Sequence, residues 1–185
     1  GSRRAHGPNA GILAARASII GGCQGTSNTY AGYKMRIPAS GTMAHSFVMN
    51  FPTEEEAFQA FCHTFPKSTL LIDTYDPIKA VTLALQKGLE FEGVRIDSGD
   101  ILSISKQIRV ILDDAGRKSV KIMATGDLNE HIIHEMVSKQ APIDYFGVGT
   151  ELSTSRDDPA LNGVYKLVGI RIKSSNLKRH NYQTI

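Results

Sequence analysis

Cysteine is scarce in this chain of 185 residues: Cys23 and Cys62 lie far apart and fit no zinc or redox spacing. That scarcity excludes a disulfide framework and leaves two ordinary buried thiols in a reducing compartment as the expectation. Long hydrophobic runs are also missing. No stretch reaches the roughly 18 apolar residues that suggest a membrane span, and the opening GSRRAHGPNAG has no apolar segment of the signal-peptide kind. The reading is a cytoplasmic protein with no membrane partner. Basic charge is present without concentration, with a net charge of +3 scattered along the chain until the late KSSNLKRH. No stripe is wide enough to follow a phosphate backbone, so nucleic acid is not an expected partner.

What the chain does have is enough apolar content, 41% against 21% charged residues, to bury one sizeable core. Amphipathic stretches alternate with short apolar runs that end in polar residues. PNAGILAARASIIGG reads as a helix, and IPASGTMAHSFVM as a strand with a polar turn. TEEEAFQAFCHTF reads as a helix with Thr53 as N-cap and Glu56 completing a capping box. There follow strand STLLIDTYD, helix PIKAVTLALQKG, strand FEGVRIDSGD, helix ILSISKQIRVILDDAG, strand VKIMATGD, helix LNEHIIHEMVSKQ and strand IDYFGVGTEL. Five strands separated by four helices predict right-handed βαβ units around a parallel sheet, either open or part of a (β/α) barrel.

Both architectures carry functional groups at the C-terminal ends of the strands. Here those ends read GTMAH, DTYD, RIDSGD, ATGD and GVGTE. Helix capping explains one or two such residues, but five successive ends point to convergence at one rim. Carboxylates gathered there repel unless a cation or ligand hydroxyl shares them. Asp97 and Asp100, with Asp73, Asp76 and Asp127 from other ends, therefore suggest a hydroxyl-rich or magnesium-bound substrate such as a sugar phosphate with Mg²⁺. Gly147, Gly149 and Thr150 would let backbone amides approach a phosphate, or would simply form a tight turn. Spacing leaves His45, three residues after Thr42, open between a surface histidine and a reactive one. His6, His63, His131, His134 and His180 read as surface residues. No lysine stands at the five ends, which argues against a Schiff-base aldolase.

In order along residues 1 to about 168, GSRRAHGPNAG, IGGCQGTSNTYAG, IPASGTMAHSFVM, LLIDTYD, GVRIDSGD, ATGDLNE and FGVGTELSTSRDDPALNGVYKLV resemble the motifs of the nicotinate phosphoribosyltransferase family. The resemblance implies an irregular, here partial, parallel (β/α) barrel of the type II phosphoribosyltransferase kind. Residues 1–168 would form its core and 169–185 a divergent tail. It implies joining of nicotinate to 5-phosphoribosyl 1-diphosphate, with coupled ATP hydrolysis, to give nicotinate mononucleotide and diphosphate in NAD salvage. By resemblance His45 would be phosphorylated from ATP, and Thr42 would belong to the nicotinate pocket. Arg95 would make a bidentate contact with the nicotinate carboxylate. Asp97 and Asp100 would receive ribose hydroxyls or hold the magnesium diphosphate. Gly149 and Thr150 would bind the 5-phosphate, and Arg3 and Arg4 would face the phosphate-rich substrate. Nicotinamide-specific relatives carry an acidic residue where this chain has Ser27, so an anionic ring is expected. The resemblance also implies a homodimer in the complete enzyme and a preceding domain that supplies an aromatic residue to stack on the pyridine. The alternatives are a nicotinamide- or quinolinate-type enzyme, and a non-catalytic binding or assembly fragment.

Overall fold

Four short strands, β1 (Thr69–Leu71), β2 (Gly93–Ile96), β3 (Lys121–Ala124) and β4 (Tyr145–Phe146), pair in parallel and in chain order. They belong to a computed structural model that describes residues 3–154. The helices along the chain are α1 (Pro8–Ile20), α2 (Thr29–Met35), α3 (His45–Val48), α4 (Glu54–Thr64), α5 (Pro77–Gln86), α6 (Ile101–Asp114), α7 (Glu130–Ser138) and α8 (Thr150–Ser153). The fold is thus the α/β class expected, with a parallel sheet that is open among the described residues. The boundary at residue 168 and the tail 169–185 lie outside them.

Thr53 caps α4 as the sequence predicts, while the Glu56 carboxylate meets the Thr53 hydroxyl and not its backbone N–H. Thr53 accepts the Glu56 N–H at 3.2 Å and donates its hydroxyl to Glu56 Oε1 at 3.0 Å. Pro77 opens α5, where its missing N–H costs nothing. The helices α5 and α6 pack together, and α6 covers β2 and β3. Leu70, Val94 and Ile122 form one row across the sheet, and Ile72, Ile96 and Ala124 form the next row of the same orientation. All six are 0% exposed.

One expected strand is absent. IPASGTMAHSFVM contributes a single bridge residue, Ala39, paired with Thr26, and then the one-turn helix α3. Pro38 cannot donate to a ladder, and the small and helix-favouring residues Ala44 and Met43 supply no β-branched run. Two further departures are local. α2 follows Asn28, whose side chain accepts the Ala31 N–H at 3.1 Å, and was not evident from the sequence. Neither thiol is fully buried: Cys23 is exposed and Cys62 half-buried.

Candidate active site

Side chains alternate between the faces of a strand, so the register fixes which residues meet. Leu71 pairs with Arg95, Arg95 with Met123, and Met123 with Tyr145. Two residues further on, the same face presents Asp73, Asp97, Thr125 and Gly147. Backbone bonds keep these extensions adjacent: Ile72 N to Arg95 O at 3.2 Å, Thr125 N to Ile96 O at 2.9 Å and Gly147 N to Ala124 O at 2.8 Å. The sheet therefore ends in a row of one acid, a second acid, a hydroxyl and a glycine.

Asp97 is the centre of this row. Its Oδ2 lies 3.5 Å from His45 Nε2. Its Oδ1 accepts the Thr125 hydroxyl and lies 3.7 Å from Arg95 Nη2. The His45 imidazole facing it, followed by the Thr125 hydroxyl and the Arg95 charge, pulls the Asp97 carboxyl down to about 2 against the opposing effect of burial. Arg95 donates through Nη1 to the Thr42 hydroxyl, while its Nε is buried without a hydrogen-bond partner. Asp73 is 8% exposed, and its Oδ2 accepts the Asp97 N–H at 2.8 Å and the Ser98 hydroxyl at 2.7 Å. Its Oδ1 has no partner.

His45 arrives from outside the sheet. It opens α3, which is anchored by buried Val48 and by Phe47, whose ring packs on Phe51 and Phe61 at 5.1 and 5.5 Å. The imidazole Nδ1 comes within 3.1 Å of Thr74 Oγ1. An ionised Asp97 can only accept, so the nitrogen facing it, Nε2, carries a proton, and in the neutral imidazole this leaves the Nδ1 lone pair to accept from Thr74.

The remaining sequence-derived residues divide. Thr42, His45, Asp73, Arg95 and Asp97 meet in one cluster. Asp76 and Asp100 cap helices: Asp76 Oδ1 accepts from Ile78 N and Lys79 N at 3.0 and 3.1 Å, and Asp100 Oδ1 accepts from Ser103 N at 3.0 Å. Capping by the Lys79 N–H also holds the Asp76 carboxyl below its ordinary value. Asp127 is exposed on a left-handed backbone, φ 43°. Gly147 sits beside Thr125, Gly149 precedes α8, and Thr150 is its first residue. Ser27 and Arg3 are exposed, and Arg4 is half-buried. His131 and His134 are exposed on α7, as expected. Thr74, Ser98, Thr125 and Gly126 were missed as site residues. Gly126 is required by contact, since a Cβ there would stand 1.9 Å from the Asp97 carbonyl oxygen.

Among the described residues no group of three His, Cys, Asp or Glu side chains is arranged to hold a metal ion. Asp97 is engaged by His45, Thr125 and Arg95, and Asp100 by its helix. The two carboxylates do not form a metal cage of their own.

Beside the cluster, Glu54 begins α4 and lines a shallow groove of about 380 Å³ with Ile78, Lys79, Thr82, Leu83 and Gln86. Burial, then Asp76 and Asp73, push its carboxyl up to about 7, and its Oε1 lacks a partner. A carboxyl raised on folding holds its proton longer in the folded state, so stability falls as pH rises from about 4.5 to about 7. Glu54→Gln removes that cost. Its midpoint of thermal unfolding should match the parent's at pH 4 and exceed it by roughly 2–8 °C at pH 8, on the order of 1–2 kcal/mol after solvent screening. Equal midpoints at both pH values would show that Glu54 is not strained.

The parallel sheet with polar side chains gathered at its carboxyl rim is the α/β architecture that this chain shares with its structural neighbours, type II phosphoribosyltransferases. The particular branch follows from comparison: the sequence profile of the "Nicotinate phosphoribosyltransferase (NAPRTase) family" matches residues 1–181, and the chain belongs to that family. It is 46% identical over 174 residues to a nicotinate phosphoribosyltransferase of Mycobacterium tuberculosis, covering 91% of this chain and 38% of that protein. It is 44% identical over 177 residues to the nicotinate phosphoribosyltransferase of Bacillus subtilis, covering 92% and 36%. The crystal structure of nicotinate-nucleotide pyrophosphorylase from Pyrococcus furiosus superposes with a TM-score of 0.73 at 27% identity, over 92% of this chain and 48% of that one. The chain thus spans well under half the length of the curated relatives it matches.

Proposed function

We propose that the protein joins nicotinate to 5-phosphoribosyl 1-diphosphate, releasing diphosphate and forming nicotinate mononucleotide, with ATP hydrolysis coupled through phosphorylation of His45. The observation that carries this reading is the meeting of His45, Asp97, Arg95 and Thr42 at one strand end. A guanidinium with a buried, unpartnered Nε is prepared for a planar anion, and the nicotinate carboxylate supplies one. Thr42, already on the guanidinium, would border the same ring.

His45 would be the phosphoryl acceptor. With the Nε2 proton of the neutral imidazole facing Asp97, the Nδ1 lone pair attacks the γ-phosphorus of ATP. The new N–P bond replaces the bond to the departing ADP, and the ionised Asp97 stabilises the positive charge that develops on the imidazole. Glycosyl transfer itself asks for little covalent work. Its transition state resembles an oxocarbenium ion with diphosphate leaving, so positioning and charge account for most of the rate. Asp97 and the neighbouring Asp127 would receive ribose hydroxyls. Gly149 and Thr150 would bind the 5-phosphate, and Arg3 and Arg4 would face the diphosphate. Magnesium would arrive on that diphosphate as part of the substrate, with Asp100 at the rim. The complete enzyme would act in the cytoplasm as a homodimer, with an aromatic residue from elsewhere in the polypeptide stacked on the pyridine.

The test is an assay of the complete protein for nicotinate-dependent diphosphate release, together with ³²P transfer from ATP. The parent protein should do both. His45→Ala should lose the label while keeping its fold, because one half-exposed rim side chain adds little to core burial. Undiminished labelling of His45→Ala, or no diphosphate release from the parent, would overturn the reading.

A further inference from the structure

We propose that Thr125 is a positioning residue, whose hydroxyl fixes the Asp97 carboxylate in the rotamer that turns Oδ2 to His45 and Oδ1 to Arg95. Its kinetic consequence rests on the phosphoribosyl-transfer reading, whereas its geometric content does not. The two functional contacts of Asp97 are long, 3.5 Å to His45 and 3.7 Å to Arg95. Contacts of that length attract a charge without fixing its orientation. The Thr125 hydroxyl donates a hydrogen bond to Asp97 Oδ1, and the Thr125 N–H is bonded to Ile96 O.

Everything around Thr125 keeps that hydroxyl in place. Its N–H donates to Ile96 O at 2.9 Å, so the residue is pinned to the strand that carries Asp97. A β-branched side chain has few χ1 choices. The methyl group occupies the space that a side chain at residue 147 would need, since a Cβ on Gly147 would lie 2.6 Å from Thr125 Cγ2. The next residue, Gly126, takes φ +90° and leaves no room for a Cβ against the Asp97 carbonyl. Gly126 thus lets the chain after β3 approach the Asp97 turn, and Gly147, after β4, leaves room for the Thr125 methyl. Ile96 O, 3.4 Å away, is the alternative acceptor for the hydroxyl, but the carboxylate is charged and the carbonyl is already engaged, so Asp97 prevails.

The decisive variants are Thr125→Val, which keeps the shape and loses the hydroxyl, and Thr125→Ser, which keeps the hydroxyl and loses the methyl. In the complete protein Thr125→Val should lower kcat for nicotinate by roughly 10- to 100-fold, the loss of one hydrogen bond to a charged group. KM for nicotinate should change little. A ¹³C carboxyl titration should show Asp97 protonating at higher pH than in the parent. Thr125→Ser should stay within about threefold of the parent, a fraction of a hydrogen bond's contribution, and should restore the parental titration. A parental titration curve in Thr125→Val would overturn the proposal, and so would a Thr125→Ser protein as impaired as Thr125→Val, because packing of the methyl would then be the cause. If the parent shows no turnover, the functional reading fails while the titration of the same three proteins still decides the role of Thr125.

Discussion

Arg95→Ala should lower kcat/KM for nicotinate in the complete protein by roughly 30-fold to several thousandfold, and should affect any residual use of nicotinamide far less. Truncating one partner of a desolvated, hydrogen-bonded charge pair costs about 2 to 5 kcal/mol, and about 1.4 kcal/mol is a factor of ten. Arg95 is placed for such a pair by its strand. It projects from β2 on the face shared with Asp97, with one nitrogen on Thr42 and Nε buried without a partner. Nicotinamide has no carboxylate to lose. The competing role for Arg95 is counter-charge to Asp97 at 3.7 Å, in which case the whole rim weakens and both ring substrates suffer alike. Comparing the two specificity ratios in the variant decides between them, and equal losses would exclude recognition of the carboxylate.

Gly126→Ala should be among the most damaging single substitutions in the described chain. The added methyl would lie 1.9 Å from the Asp97 carbonyl oxygen on a backbone already at φ +90°. Because the obstacle is backbone, relief requires β3 to withdraw from the turn after β2. Overpacking and backbone strain together suggest about 3 kcal/mol or more, a fall in the unfolding midpoint of roughly 6–12 °C for a domain of this size. Gly116→Ala is the matched control, since Gly116 has φ +73° with nothing within 4 Å of the added atom. It should lose only the cost of the left-handed backbone, about 1–2 kcal/mol. Equal midpoint shifts for the two variants would show that conformation alone, and not close approach, demands glycine at residue 126.

Much of this architecture was legible in the sequence because the burial periodicities are clear. The helices now seen as α1 and α4 to α7, and the strands β1 to β4, fall where amphipathic and apolar runs predict them. IPASGTMAHSFVM failed as a strand because its polar, proline-interrupted pattern carries no period. The carboxylates were harder to sort. Asp73 and Asp97 join the cluster while Asp76 and Asp100 cap helices, yet a cap and a ligand-facing acid call for the same residue type. Thr125 and Gly147 could have been found by setting the strands in phase. With LLIDT, VRIDS, IMATG and DYFGV set in phase by their third, apolar positions, Asp73, Asp97, Thr125 and Gly147 fall in one row. His45 reached the row through aromatic packing of α3, which no local pattern encodes.

The order of the strands has a consequence for how the protein is made. Leu70 pairs with Val94, Val94 with Ile122 and Met123 with Tyr145, so every strand lies against the one synthesised just before it. Parallel sheets are ordinarily slow to form because their partners are distant in sequence. Here each new strand adds to the edge laid down just before it, and α6, made after β2, packs on that strand. Segments leave the ribosome at about 5–20 residues per second, far more slowly than a helix forms. The sheet can therefore lengthen one unit at a time at a single advancing edge, and the Asp73 carboxylate that accepts the Asp97 N–H is always the earlier made of the two.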